Sequence, residues 1–227
     1  MIVAGKNVFN ELKTNTKNIK KVYLSKSFHD KEIINFIKDN HLKYETVNEE
    51  RMNNLYVGNH QGIIVLVNDY EYYDIDDFLN EDIVLVLDHL EDPHNFGAII
   101  RTAEAAGIKS MIIPKDRSVG VNTTVVKTSS GAIEHVKIAQ VNNLVSTIEK
   151  FKKNNFFVYG AESDGENYDK IDYANKILLV IGSEGEGLTR LVKSSCDKII
   201  SIPMKGKINS LNASVAAGIL IYKIVRR

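Results

Sequence analysis

Three stretches of this 227-residue chain combine residue types that bind ligands or handle protons. The first, LDHLEDPHNFGAIIRTAEAAG at 87–107, is an acidic loop running into a helical pattern, with Asn95 at its start and Arg101 nearly two turns in. In the second, LVIGSEGEGL at 179–188, Gly182, Gly185 and Gly187 surround Glu184. Glycines let backbone amides approach a ligand closely, and the carboxylate adds an acceptor. The third, SIPMKGKINSLNAS at 201–214, passes from a strand end through a basic loop to Ser210 and Asn212 at a helix tip. Each stretch alone fits a plain alternative equally well: a capped helix, a tight turn, an ordinary basic loop.

Other motif readings fail on spacing. The glycines of 182–187 fall as G-x-x-G-x-G, not the dinucleotide fingerprint, and Gly206-Lys207 is followed by Ile208, so no Walker A is present. Asp88, His89, Glu91, Asp92 and His94 resemble a metal cluster, but acids ahead of a helix complement its dipole, and no metal is expected there. His29, His41, His60 and His135 have no partner pattern. Cys196, the single cysteine, excludes a disulfide framework and a cysteine zinc site, fits a reducing cytoplasm and reads as a small packed residue.

These stretches need a scaffold that gathers helix starts. Residues 1–67 mix helical and extended patterns (8–12, 19–24, 31–40, 44–47 and 62–67), a small α/β unit. Short apolar runs at 83–87, 111–113, 136–139, 156–159, 177–181 and 198–202, mostly separated by helical stretches, predict a largely parallel sheet. Asn95 is typed to cap a helix over 96–106 that Gly107 stops, 188–195 makes a short helix, and Ser210 is typed to cap a last helix over 211–225. Each follows a strand, so the helix starts meet at the carboxyl edge of the sheet, where open α/β folds bind ligands.

Composition bounds the rest. With 29 basic and 29 acidic residues the chain has no net charge, so nucleic-acid capture must rest on local patches. Residues 1–67 hold ten basic and seven acidic residues, whereas 68–80 hold five acids and no base and read as a linker, with its tyrosines packed rather than stacked on bases. The division is therefore 1–67, an acidic linker 68–80, and 81–227. The opening MIVAGKNVF has no long apolar run and the stretch 213–222 is well short of the ~18 residues of a membrane span, so a soluble cytoplasmic protein is expected.

Together and in this order, the stretches resemble the three motifs of the SpoU/TrmH family of RNA ribose 2'-O-methyltransferases, in the SPOUT superfamily. The carrying residues are NFGAIIRTA at 95–103, IGSEGEGL at 181–188 and IPMKGKINSLNASVAA at 202–217, while VAGKNVFNEL at 3–12 and HQGI at 60–63 look like the family's small L30e-like substrate-binding domain. The nearest branch is the ribosomal RNA guanosine-2'-O-methyltransferases called RlmB. The resemblance implies an α/β fold whose SPOUT-type domain has a mostly parallel sheet and a carboxyl-terminal trefoil knot, although chains generally avoid knots. It further implies a homodimer with sites shared between subunits, the apolar last helix serving the knotted core or the subunit contact. S-adenosylmethionine is the implied methyl donor, held by backbone groups at Gly182, Ile202 and Leu211. Arg101 matches the family's catalytic arginine, and Asn95, Glu184, Ser210 and Asn212 would hold it, the nucleotide and the donor in line. A guanidinium keeps its proton, which argues that Arg101 grips a phosphate and steadies the forming alkoxide rather than acting as a base. RNA capture would fall to Lys13, Lys17, Lys20, Lys21 and Lys26 in front and to Lys205 and Lys207 beside the site, each of which a solvated charged face explains equally. Transfer RNA guanosine, a resistance-type ribosomal adenosine, and a noncatalytic RNA-binding role are the alternatives.

Overall fold

The structure is a computed structural model that describes residues 1–207 and 210–226. Two sheets organise it. In the front unit β1 (Ile2–Ala4), β2 (Ile19–Ser25), β3 (Tyr44–Val47) and β4 (Ile63–Val67) lie in the order β1-β4-β2-β3. The sequence IIVLV of β4 is apolar throughout because this strand is central, antiparallel to both β1 and β2. Helices α1 (Lys6–Leu12), α2 (Lys31–Asp39) and α3 (Glu49–Leu55) flank the sheet. Asp30 caps α2 by accepting from the Ile33 amide, which turns Ile33 and Ile37 into the core. Strand β1 and helix α3 are too short for periodicity in sequence to reveal.

The rear unit is a six-stranded parallel sheet of β5 (Ile83–Asp88), β6 (Ser110–Pro114), β7 (Lys137–Val141), β8 (Phe157–Asn167), β9 (Ile177–Gly182) and β10 (Lys198–Ser201), in the order β10-β8-β9-β5-β6-β7. The inner strands IVLVLD and ILLVIG are covered on both faces, hence their unbroken apolar runs. Around them lie α4 (Pro93–Ala105), α5 (Thr123–Thr128), α6 (Leu144–Lys153), α7 (Arg190–Ser195) and α8 (Ala213–Ile224).

The caps differ from expectation. Asp92, not Asn95, caps α4, because Pro93 at the first helical position fixes φ ahead of Asn95 and the Asp92 carboxylate accepts from the His94 amide at 2.8 Å. Asn212, not Ser210, caps α8, accepting from Ser214 and Val215 amides. Both shifts free a site residue from capping or add a second task to one.

Residues 68–80 are ordered along the rear sheet. Tyr73 bridges Ala139 of edge strand β7, Tyr70 Oη donates to the Val136 carbonyl at 3.2 Å and accepts from the Ile138 amide at 3.0 Å, and Phe78 is fully buried. The segment covers an edge that would otherwise present free amides. Helix α5 packs on β1, and a single apolar cluster containing Leu12 and Val126 spans both units.

Candidate active site

The carboxyl end of β9 and the middle of β8 open into a cleft of about 270 Å³ bordered by Glu162, Gly182, Glu184, Ile202, Ser210 and Leu211. Gly182 ends β9 in register with Asp88 of β5. A Cβ on Gly182 would stand 2.2 Å from the Gly187 carbonyl carbon, so the glycine is required by a backbone packed against it. The loop after it is a small hairpin in which Ser183 and Gly187 exchange two backbone hydrogen bonds of 3.1 Å, with Gly185 and Gly187 at positive φ.

Two carboxylates secure the exit of this hairpin. Glu162 Oε1 accepts from the Leu188 amide and the fully buried Asp88 accepts through Oδ2 from the Thr189 amide, each at 2.6 Å. The other Asp88 oxygen lies 2.6 Å from His89 Nδ1. The run that resembled a metal cluster is thus engaged in capping α4 and anchoring a loop. Glu162 carried no motif in sequence and Asp88 stood only in the run that resembled a metal cluster; Asp88 ends β5, and Glu162 lies midway along β8, just past the last residue paired with β9.

Next to the cleft, Asn95 ties two helices to the hairpin. Its amide donates to Asp92 Oδ2 at 3.0 Å and to Glu184 Oε1, while its carbonyl accepts from Asn212 Nδ2 at 3.0 Å. Asn95 is buried, and its two N–H bonds feed two carboxylates that would otherwise repel. Asn212 spends its oxygen on the start of α8 and its amide on α4. Burial, followed by the neighbouring Asp92 charge, raises the Glu184 pKa above the usual range. The Asp92 carboxyl is held below its own range by the His94 amide and then by Asn95.

Arg101 lies outside this group. Six residues beyond Asn95 on α4, it leaves the helix roughly 120° away around the axis. It is exposed, and its Nη1 donates to Ser130 Oγ at 3.4 Å. The structure therefore brings Asn95, Glu184 and Asn212 together, sets Ser210 at the cleft mouth, and leaves Arg101 on an adjoining face. Of the lysines, Lys13 pairs with Glu32 at 2.9 Å and Lys21 with Glu45 at 2.7 Å, while Lys17, Lys20, Lys26, Lys205 and Lys207 are exposed.

A parallel α/β sheet with a glycine-walled cleft at the carboxyl end of β9, bordered by the start of α8, has the arrangement in which open α/β folds bind ligands. The model of the SpoU rRNA Methylase family matches residues 82–222, so the chain belongs to that family. The model for RNA 2'-O ribose methyltransferase substrate binding matches residues 2–73. The chain is 40% identical over 238 residues to a Staphylococcus haemolyticus protein named "Putative TrmH family tRNA/rRNA methyltransferase", covering 100% of this chain and 96% of that one. Its fold is that of the SpoU methyltransferase AviRb of Streptomyces viridochromogenes, solved in complex with AdoMet, with 22% identity, a TM-score of 0.85 and coverage of 100% and 89% of the two chains. The AdoMet-bound rRNA methyltransferase of Sinorhizobium meliloti gives 23%, 0.83, 99% and 86%.

Proposed function

We propose that this protein transfers a methyl group from S-adenosylmethionine to a ribose 2'-hydroxyl of RNA, a guanosine of large-subunit ribosomal RNA. The observation that carries the reading is the cleft itself. Its described lining holds Glu162, Glu184 and Glu186 and no basic side chain, which suits a ligand carrying a sulfonium and an ammonium. When bound, the donor supplies an electrophilic methyl on positively charged sulfur. Backbone groups of Gly182, Ile202 and Leu211 are the residues to hold it. Asn95, Glu184 and Asn212 fix the wall between cleft and substrate, with Ser210 at the mouth. Arg101 grips the phosphate beside the reacting ribose and stabilises the oxygen as it loses its proton, which its charge does without giving up a proton of its own.

In this reading residues 1–67 select RNA, 68–80 connect, and 81–227 form the methyltransferase, with the knotted carboxyl-terminal path of the family. A homodimer is part of the same reading. Val215 and Tyr222, seven residues apart on α8, are 50% and 41% exposed, whereas Ala217 is fully buried in its own chain. A charge at Ala217 therefore probes the fold, and a charge at Tyr222 probes the dimer by sedimentation. The function is tested by calorimetric titration with S-adenosylmethionine and by mapping ribose methylation of ribosomal and transfer RNA with and without the protein. Donor binding with no ribose methylated in either RNA would overturn it.

A further inference from the structure

The turn between α5 and β7 touches Arg101 on one side and the front unit on the other. Ser130, which accepts from Arg101 Nη1, has φ +51°, a conformation that costs a residue with a Cβ. Gly131, buried at φ +92°, lies under the side chain of Glu11, whose Cγ stands 2.1 Å from where a Cβ would be. Glu11 belongs to α1 of the front unit, so a front-unit side chain lies directly over the turn. Nearby, Lys127 stands 6.0 Å from the ring centre of Tyr56, and Glu134 hydrogen-bonds Asn15 and Asn18 of the front unit in the lining of a cleft of about 350 Å³.

The turn is equally constrained on the side of α4. Gly97, between Asn95 and Arg101, meets α5 so closely that a Cβ would lie 2.6 Å from Thr128 Cβ and 3.0 Å from the Val125 carbonyl. Within the turn, the buried Ser129 hydroxyl donates to the Val126 carbonyl at 2.9 Å, and the Ala132 amide to the Ser129 carbonyl at 3.1 Å. Residues 125–134 are thus a rigid wedge between the front unit and the helix that carries Arg101.

We propose that Ser130 is a positioning residue for Arg101 and that the front unit, by clamping the turn through Glu11, sets the orientation of that guanidinium as well as binding RNA. The idea rests on the assignment of Arg101 to the chemistry. A long exposed arginine loses side-chain entropy when it is aligned, and an acceptor held in advance lowers that cost. Strain at a serine where glycine would be relaxed is intelligible if the hydroxyl is what the position requires.

The test measures kcat and KM for RNA, donor affinity and thermal stability of full-length variants, with hydrogen exchange of the amides of 129–134. Ser130→Gly relieves the positive φ and removes the acceptor. It should keep donor affinity and RNA KM within about twofold, keep or raise stability, and lower kcat about tenfold. Ser130→Asn tolerates the left-handed region and restores an acceptor, so much of the lost turnover should return. Glu11→Ala should speed exchange across 129–134 and lower kcat. Unchanged kcat in Ser130→Gly, or unchanged exchange in Glu11→Ala, overturns the proposal. A wild-type protein that methylates no RNA overturns the functional reading instead, and the exchange measurement still decides the clamp.

Discussion

Asn95, in the first turn of α4, and Arg101, further along the same helix, present opposite solutions to placing a polar side chain. Asn95 is buried, with both halves of its amide engaged by Asp92, Glu184 and Asn212. Arg101 is exposed, with a single long hydrogen bond to Ser130. Asn95 is fixed by the fold before any ligand arrives. Arg101 has one surface hydrogen bond, to Ser130, which leaves its remaining donors open to a phosphate brought by RNA. The difference teaches that architecture and chemistry occupy separate faces of one helix, so substitutions at the two positions should fail in different ways.

The largest effect is expected at Arg101. Arg101→Ala should leave donor affinity and melting temperature nearly intact while cutting single-turnover methyl transfer by about two orders of magnitude, the size typical of losing one electrostatic stabiliser. Arg101→Lys keeps the charge but not the planar fork and should be only partly active. Asn95→Ala should behave in the opposite manner. It strands the Asn212 amide and sets Glu184 against Asp92, a loss of about 1–3 kcal/mol of stability for buried partners left unpaired. Donor affinity should fall with it. If Arg101→Ala lost as much stability as Asn95→Ala, the contrast between the two positions would collapse.

How far the sequence disclosed this arrangement follows the same divide. The parallel sheet was legible because β5 and β9 are covered on both faces and read as unbroken apolar runs. The short β1 and α3 were not, since three to seven residues carry too little periodicity. Asn95, Glu184 and Asn212 stood out as polar residues beside glycines and helix starts, but their mutual hydrogen bonds join positions 89 and 117 residues apart. The caps were misplaced by three and two positions because Asp92-Pro93 and Asn212 compete with neighbours of the same capping type. Asp88 and Glu162 act by accepting backbone amides, a role any carboxylate placed beside the loop can fill and no motif announces. The acidic segment 68–80 looked like a linker by charge alone. The Tyr70 hydroxyl and the Tyr73 backbone satisfy an edge strand, which only the folded sheet creates.

A smaller effect is expected from Glu184→Gln. The folded state holds the Glu184 proton more tightly than the unfolded chain, mainly through burial and then through Asp92. The unfolded chain therefore releases its proton first, and wild-type stability falls as pH rises through and just above the ordinary value of 4.5. Glutamine does not titrate and still offers an oxygen to Asn95. The melting temperature of the variant should thus gain on that of the wild type across this window, and a gap that stays constant with pH would show that Glu184 is not held in its neutral form there.

The smallest effect separates two lysines of the front unit. Lys21 is paired with Glu45 at 2.7 Å and stands over the ring of Tyr23, with its ammonium proton held more firmly by that carboxylate. Its charge is largely answered within the protein. Lys26, on the turn after β2, is exposed and adjoins Ser25 and Ser27, whose hydroxyls hydrogen-bond Glu49. That carboxylate is accordingly occupied, and Lys26 is left to face solvent. A phosphate contact releases counterions, so its loss lowers the salt dependence of RNA binding by about one unit of slope at most and weakens binding to all sequences alike. Lys26→Ala should do this to a measurable degree, and Lys21→Ala should change neither affinity nor slope. Affinities taken over a salt series decide the matter: equal slopes for both variants and the wild type would remove Lys26 from the RNA path, and a shallower slope for Lys21→Ala alone would place the path on the opposite side of β2.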